Sequence, residues 1–396
     1  MLKGKFSYRG SYFSYAITYF MFYFAMSSMM NMMSIYLTSS LGKTDQEMTF
    51  IMSASSLFGI IANPVVGYLN DRFRKPRGMA ASLLLIAASA AVAFSVSKNT
   101  LLLYVLNGSI SGLIGSVSTI GERVASSGKF RYGQIRIWGT IGFAAAPPIV
   151  GLIFEWTDAY WVFIMVAVSL VIGAVSFLLL TGIRFYSDDE PNAESAPVPK
   201  NINRFRFLKN PMFLLFACIA MVYSGAAGLN NAYSPILLQE LGLSTSWVGT
   251  VISISVLVEL PLVLFSNVYM DRFSCKKLAA LSTALMLLQF VFYSTCRSLP
   301  VVMVAMILLK AVCGTLFMMV QLKLIRGVVG DNSVSTAQGS MSSMNSVAAI
   351  VIQNAGGWIA GLYGVQILYV GLSILSLIAL VLCLFLKVNS TKKIFS

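Results

Sequence analysis

Apolar runs of about 20 residues recur along the whole chain, each long enough to cross roughly 30 Å of hydrocarbon. Short basic or turn-forming stretches separate them. A segment in lipid must satisfy its own backbone, so such runs fold as helices. Charged residues make up only 11% of the 396 against 57% hydrophobic, too few to wet the surface of a water-soluble protein of this size. The pattern predicts an all-α membrane protein with twelve transmembrane helices, at 13–37, 46–70, 78–97, 100–122, 137–156, 160–183, 210–235, 246–270, 277–296, 299–322, 335–361 and 364–387.

The net charge of +14 sits in the short loops, so topology accounts for it and a nucleic-acid partner is not expected. With both termini cytoplasmic, 24 of the 28 Lys and Arg fall in inner segments. Lys43, Lys98 and Arg297 fall in outer loops, and Lys310 lies inside a span. This asymmetry predicts an even number of spans and a multi-pass protein of the cell (plasma) membrane. Met1 to Arg9 is basic, but the long apolar run after it has no small-residue cleavage site, so no cleavable signal is expected.

Asp71-Arg72-Phe73 returns as Asp271-Arg272-Phe273, 200 residues later. Each copy closes the second span of a half. The repeat predicts two pseudo-symmetric six-helix halves, 1–183 and 210–396. A cytoplasmic linker, 184–209, joins them and carries Asp188-Asp189-Glu190-Pro191 and Ala196-Pro197-Val198-Pro199. Duplicated halves are the layout of a carrier that rocks one half against the other.

Much chemistry is excluded. The five cysteines are odd in number, lie in the second half and form no CxxC, and histidine is absent; neither a disulfide frame nor a metal site is expected. There is no nucleophile–base set and no phosphate loop, so the chain is not expected to be an enzyme or to need a cofactor. Transport would run on a gradient and not on ATP. The expected partners are a small solute, protons and the lipid bilayer, and the carrier is expected to be a monomer.

Glu259 and Lys310 are the ionisable residues nearest the middle of spans. Each costs roughly 2.5–3.5 kcal/mol at a helix centre by insertion scales, so each should face a cavity or the other. Glu259 is the candidate proton carrier and Lys310 its partner or a substrate contact; a permanent packing salt bridge is the bland alternative. Asn230 and Asn231 are the best amide cluster for a polar cavity, though single amides in spans more often tie helices together. Asp71, Arg72, Asp271 and Arg272 at helix ends suit a gate closed by charge-assisted bonds, or a turn with an orientation signal. Glu122 beside Arg123 reads as part of a cytoplasmic charge network. Gly356, Gly357 and Gly361 allow close helix approach. Tyr19, Phe20, Tyr23 and Phe24 form an aromatic face of the first helix, for a ring or for core packing.

Gly67, Asp71, Arg72, Arg74 and Lys75 match G-x-x-x-D-R-x-x-R/K, the turn after the second helix in the major facilitator superfamily. Asp271, Arg272 and Lys276 sit where that family has its second copy. The chain resembles this family over its whole length. Tyr132-Gly133-Gln134-Ile135-Arg136-Ile137-Trp138-Gly139 further resembles the fifth helix of the lactose permease-like oligosaccharide–proton symporters. That resemblance implies a substrate role for Arg136, and for Phe143 at a ring-stacking position. Ser118 stands where those symporters have their sugar-binding glutamate, and Cys313 and Leu316 replace the histidine and glutamate that follow their tenth-helix lysine. Galactoside recognition and that proton site are therefore not carried over. Glu259-Leu260-Pro261 resembles the phenylpropionate- and nucleoside-type permeases. The expectation is proton-coupled symport of a small polar organic solute, oligosaccharide or nucleoside-like. The alternative is efflux of amphipathic compounds, suggested by Met21, Met26, Met29, Met30, Met32 and Met33.

Overall fold

The computed structural model of the protein describes residues 12–73, 75–127, 130–180, 206–270, 272–329 and 334–386. Most of the linker expected at 184–209 and both termini lie outside this set. Among the described residues twelve main helices carry the fold: α1 Tyr12–Asn31, α2 Asp45–Phe73, α3 Pro76–Val96, α4 Thr100–Ser127, α5 Tyr132–Trp156, α6 Tyr160–Leu179, α7 Pro211–Glu240, α8 Thr245–Leu264, α9 Cys275–Thr295, α10 Lys310–Val328, α11 Val334–Tyr363 and α12 Val365–Leu384. A short helix, Leu299–Val304, and a π-helical turn, Ala305–Leu309, lead directly into α10.

Eleven helices among the described residues are long and apolar enough to cross a membrane. The main helix outside that set is α1, which carries Tyr12, Tyr15, Tyr19, Tyr23, Ser14, Ser27, Ser28 and Asn31 in 20 residues. Its polar groups are handled within the protein. Thr18 and Ser28 donate to carbonyls one turn back, and Ser27 Oγ donates to the Phe143 carbonyl at 2.7 Å. A span enclosed by other helices can be less apolar than one facing lipid.

Helix starts follow local chemistry. Thr44 and Glu47 form a reciprocal capping box at α2: Thr44 N–H donates to Glu47 Oε2 at 3.2 Å, and Glu47 N–H donates to Thr44 Oγ1 at 3.3 Å. Pro76 and Pro211 open α3 and α7, where a missing N–H is harmless. Gly42 and Gly242, again 200 apart, have φ of 64° and 91° in the α1–α2 and α7–α8 turns. A side chain there would strain the backbone.

The helices form two compact units. The first holds residues up to Met33 and Ala54–Lys200, the second Ser34–Ser53 and Asn201 onward. In the first, α1 packs on α5 and α6, and α3 packs on α4 and α6. In the second, α7 packs on α11 and α12, and α9 packs on α10 and α12. The two lists are the same under a shift of six helices. The Ser34–Ser53 segment is held within the second unit by a hydrogen bond of 3.0 Å from Tyr233 hydroxyl to Asp45 Oδ1. Thr49 also lies directly on Gly357, and Gln46 on Gly361, which accords with the close approach expected of those glycines.

Candidate functional site

Each unit carries a constellation of charged and aromatic side chains. In the first, α4 ends near the start of α5, and this turn returns Arg136 to Glu122. Arg136 Nε lies 3.2 Å from Glu122 Oε1. The same carboxylate accepts from Tyr23 hydroxyl at 2.8 Å and, through Oε2, from Tyr132 hydroxyl at 2.6 Å. The Arg136 guanidinium also lies over the Tyr23 ring, 4.3 Å from its centroid. Gly139 makes room for this, since a methyl there would overlap Tyr23. Glu122 thus belongs with Arg136 and two tyrosines, while the side chain of Arg123, its neighbour in sequence, lies outside the described set. Helix-end charges look alike in sequence, and the α4–α5 turn is what brings Arg136 to Glu122. Both side chains are about a third exposed (33% and 37%), so solvent reaches and screens the pair.

Phe143 follows on α5, half-buried, and its carbonyl takes the Ser27 bond described above. The aromatic face of α1 is divided. Tyr19 hydroxyl donates to the Gly121 carbonyl, while Phe20 and Phe24 stack on each other at 6.0 Å.

In the second unit, four residues marked by the sequence meet. Asn230, Asn231, Glu259 and Lys310 line one cavity of about 180 Å³. The π-helical turn Ala305–Leu309 immediately precedes Lys310. Such turns rotate the helix face that follows and recur at functional sites. Lys310, Cys313 and Gly314 face the cavity from α10, while Tyr223, Ala227, Asn230 and Asn231 face it from α7. These spacings of three, four and seven residues are single helix faces. No ion pair within 4.0 Å joins Glu259 to Lys310 among the described residues, where the pairs are Lys43–Glu47 and Arg136–Glu122. The two charges share a cavity without being locked together.

The amides are oriented by tyrosines. Tyr369 hydroxyl donates to Asn230 Oδ1 at 3.2 Å. Gln289 Nε2 donates to Tyr293 hydroxyl at 3.0 Å, and Cys313 Sγ donates to Gln289 Oε1 at 3.7 Å. Gln289 is 1% exposed yet lines the cavity. A second cavity of about 580 Å³ shares Tyr223, Ala227, Asn231 and Gly314 with the first and extends past Phe317, Gln321 and Gln338. At the junction Tyr223 stacks on Phe317, rings 3.7 Å apart and 4° from parallel. Sequence reasoning missed Tyr223, Gln289 and Cys313. The available signal for Tyr223 and Cys313 was their position on the same helix faces as Asn230 and Lys310.

The gating candidates are only partly described. Arg72, in the last turn of α2, and Arg272, in the turn between α8 and α9, are exposed, and neither joins an ion pair among the described residues. Asp271 and the side chain of Asp71 lie outside the described set. Lys323, counted as an orientation signal, is 2% exposed, and its ammonium donates to the carbonyls of Met270 and Phe273, holding the turn after α8. Among the described residues no cluster of three or more His, Cys, Asp or Glu could hold a metal.

Comparison with known proteins agrees with this architecture. The MFS_1 like family matches residues 12–370. The maltose permease of Geobacillus stearothermophilus is 23% identical, over 94% of this chain and 93% of its own. The xanthosine permease of Escherichia coli (strain K12) is 20% identical over 69% of each. The crystal structure of the nucleoside transporter NupG superposes with a TM-score of 0.82 at 16% identity, covering 95% of this chain and 98% of that one. With helices of spanning length, a paired internal architecture and a family match over nearly its whole length, the chain belongs to the MFS_1 like family and is a multi-pass membrane transporter of small solutes.

Proposed function

We propose that the protein is a proton-coupled symporter of a small polar organic solute, oligosaccharide or nucleoside-like, working by alternating access between halves 1–183 and 210–396 joined by 184–209. The observation that carries this reading is Glu259, without an ion pair among the described residues, in one cavity with Lys310, Asn230 and Asn231. A carboxylate in a poorly solvated cavity changes its proton affinity with each nearby charge. An ammonium that is close but not bound can therefore report solute entry to the proton carrier. Asn230, Asn231 and Gln289 supply groups for hydroxyls, and the Tyr223–Phe317 stack offers an apolar platform for a ring. Maltose and xanthosine permeases among the relatives accord with a solute that has both.

Arg136 and Phe143 belong to the same reading as the first half's contribution to the solute, with Glu122 fixing the guanidinium. Asp71, Arg72, Asp271 and Arg272 act as the cytoplasmic gate, and the carrier works as a monomer in the plasma membrane with both termini inside.

The test is external pH in a weakly buffered, energy-depleted suspension of cells expressing the protein. Disaccharides, nucleosides and aromatic acids are added singly. Alkalinisation with one class, lost in Glu259→Gln, is the expected result. Solute uptake without proton movement would overturn the coupling. The Met318 and Met319 lining of the larger cavity favours efflux of amphipathic compounds as a second reading; energy-dependent exclusion of a lipophilic dye would support it.

A further inference from the structure

Helix α9 presents an apolar stripe with a lysine at one end. Leu281, Leu288 and Val291 are exposed along it, and Lys277 is exposed in its first turn. Beside the stripe lies a groove of about 340 Å³ lined by Tyr269, Phe273, Lys277, Leu278, Leu281 and Leu316. Among the described residues, Lys277 is its one charged group. Among the described residues three lysines lie near this end of the helix, and two are committed. The Lys276 ammonium donates to the Leu384 carbonyl at the end of α12, and that of Lys323 to the turn after α8. Among the described residues, Lys277 makes its one hydrogen bond outside the helix ladder through its backbone N–H, to Ser274 Oγ at 3.4 Å. Its ammonium has no ion pair among the described residues.

We infer that this groove is a binding site for one anionic phospholipid, its phosphate on Lys277 and an acyl chain along Leu281. The groove calls for a hydrocarbon chain and the ammonium for an anion. In a bilayer an anionic phospholipid carries both on one molecule. A zwitterionic lipid brings its own cation to the phosphate and gains less from Lys277. Inorganic or glycerol phosphate would satisfy the lysine and leave the groove unfilled. A lysine that merely snorkels to the interface would not discriminate between headgroups.

The full-length protein in neutral detergent, titrated with palmitoyl-oleoyl phosphatidylglycerol or phosphatidylcholine and read by native mass spectrometry, tests this. Wild type should retain phosphatidylglycerol about fivefold over phosphatidylcholine, the discrimination one lysine gives against an anionic headgroup. Lys277→Gln should abolish the preference and Lys277→Arg should keep it. Lys98→Gln, at another exposed lysine, should leave it unchanged. Leu281→Trp, which fills the groove, should lower retention of both lipids. A wild-type preference in Lys277→Gln overturns the inference. So does displacement of the lipid by glycerol phosphate, or unchanged retention in Leu281→Trp.

Discussion

The two units share a helix-packing plan and differ in how they hold charge. In the first, Glu122 accepts from Tyr23 and Tyr132 while paired to Arg136, so the carboxylate is committed. In the second, Glu259 faces a cavity with Lys310 and no ion pair between them. Helix α4 bears the carboxylate in one unit, and its counterpart α10 bears the ammonium in the other. A saturated pair is a fixed structural element, whereas an unsaturated one can change its protonation and its partner. A duplicated scaffold can thus divide the work, with rigid orientation in one copy and switching in the other.

The sharpest way to break this contrast is to neutralise each carboxylate. Glu259→Gln should abolish uphill accumulation while solute exchange continues, and should leave thermal stability unchanged or raised, because it removes an unpaired charge from a spanning segment. Counterflow and accumulation assays in the same vesicles separate these outcomes; surviving accumulation removes Glu259 as the proton carrier. Glu122→Gln should instead lower stability by roughly 1–2 kcal/mol. That is less than the roughly 3–5 kcal/mol for breaking a fully buried pair, because this pair is partly screened. Equal melting temperatures for the two variants would erase the distinction between the units.

The seams α1–α5 and α7–α11 also differ in what their glycines face. A methyl at Gly142 would overlap the Phe20 backbone carbonyl, whereas the nearest atoms to one at Gly356 belong to the Leu229 side chain. Backbone cannot yield as a leucine rotamer can. Gly142→Ala should therefore cost about 1–3 kcal/mol, and Gly356→Ala less, under about 1 kcal/mol. Thermal unfolding in detergent reads both, and the reverse order would contradict the packing of these seams.

The smallest effect should be the most symmetric. Arg77 at the start of α3 donates to the Leu180 carbonyl after α6, and Lys276 at the start of α9 donates to the Leu384 carbonyl closing α12. Each neutralises an orphan carbonyl at a helix C-terminus. Arg77→Gln and Lys276→Gln should each cost about 0.5–1.5 kcal/mol, and by similar amounts. A large inequality would mean that the repeated bond matters in one copy alone.

Much of this was legible in the chain. The spans followed from apolar run length, and the duplication from Asp71-Arg72-Phe73 and Asp271-Arg272-Phe273. Gly42 and Gly242 carry the same 200-residue offset and would have reinforced it. Glu259, Lys310, Asn230 and Asn231 stood out because polar groups deep in a span need a destination. The pairing of Glu122 with Arg136 was not legible, because a helix-end acid has several basic neighbours in sequence and turn geometry selects among them. Tyr223 passed unnoticed because a weakly polar side chain in an apolar run also suits packing, Cys313 stood only as the replacement of a family residue, and Gln289 is one amide among several within spans. Polar α1 shows the converse, since enclosure by other helices relaxes the demand for apolarity.

The grouping of Ser34–Ser53 with the second unit bears on how such carriers can be recombined. A hybrid joined within 184–209 would give the second unit's Tyr233, Gly357 and Gly361 a foreign hairpin in place of Asp45, Thr49 and Gln46. Exchange of modules between relatives should succeed only when that segment travels with the C-terminal part, or is matched to it. The chain passes from one module to the other three times, at Met33–Ser34, Ser53–Ala54 and Lys200–Asn201, and no single cut in the polypeptide reproduces the division.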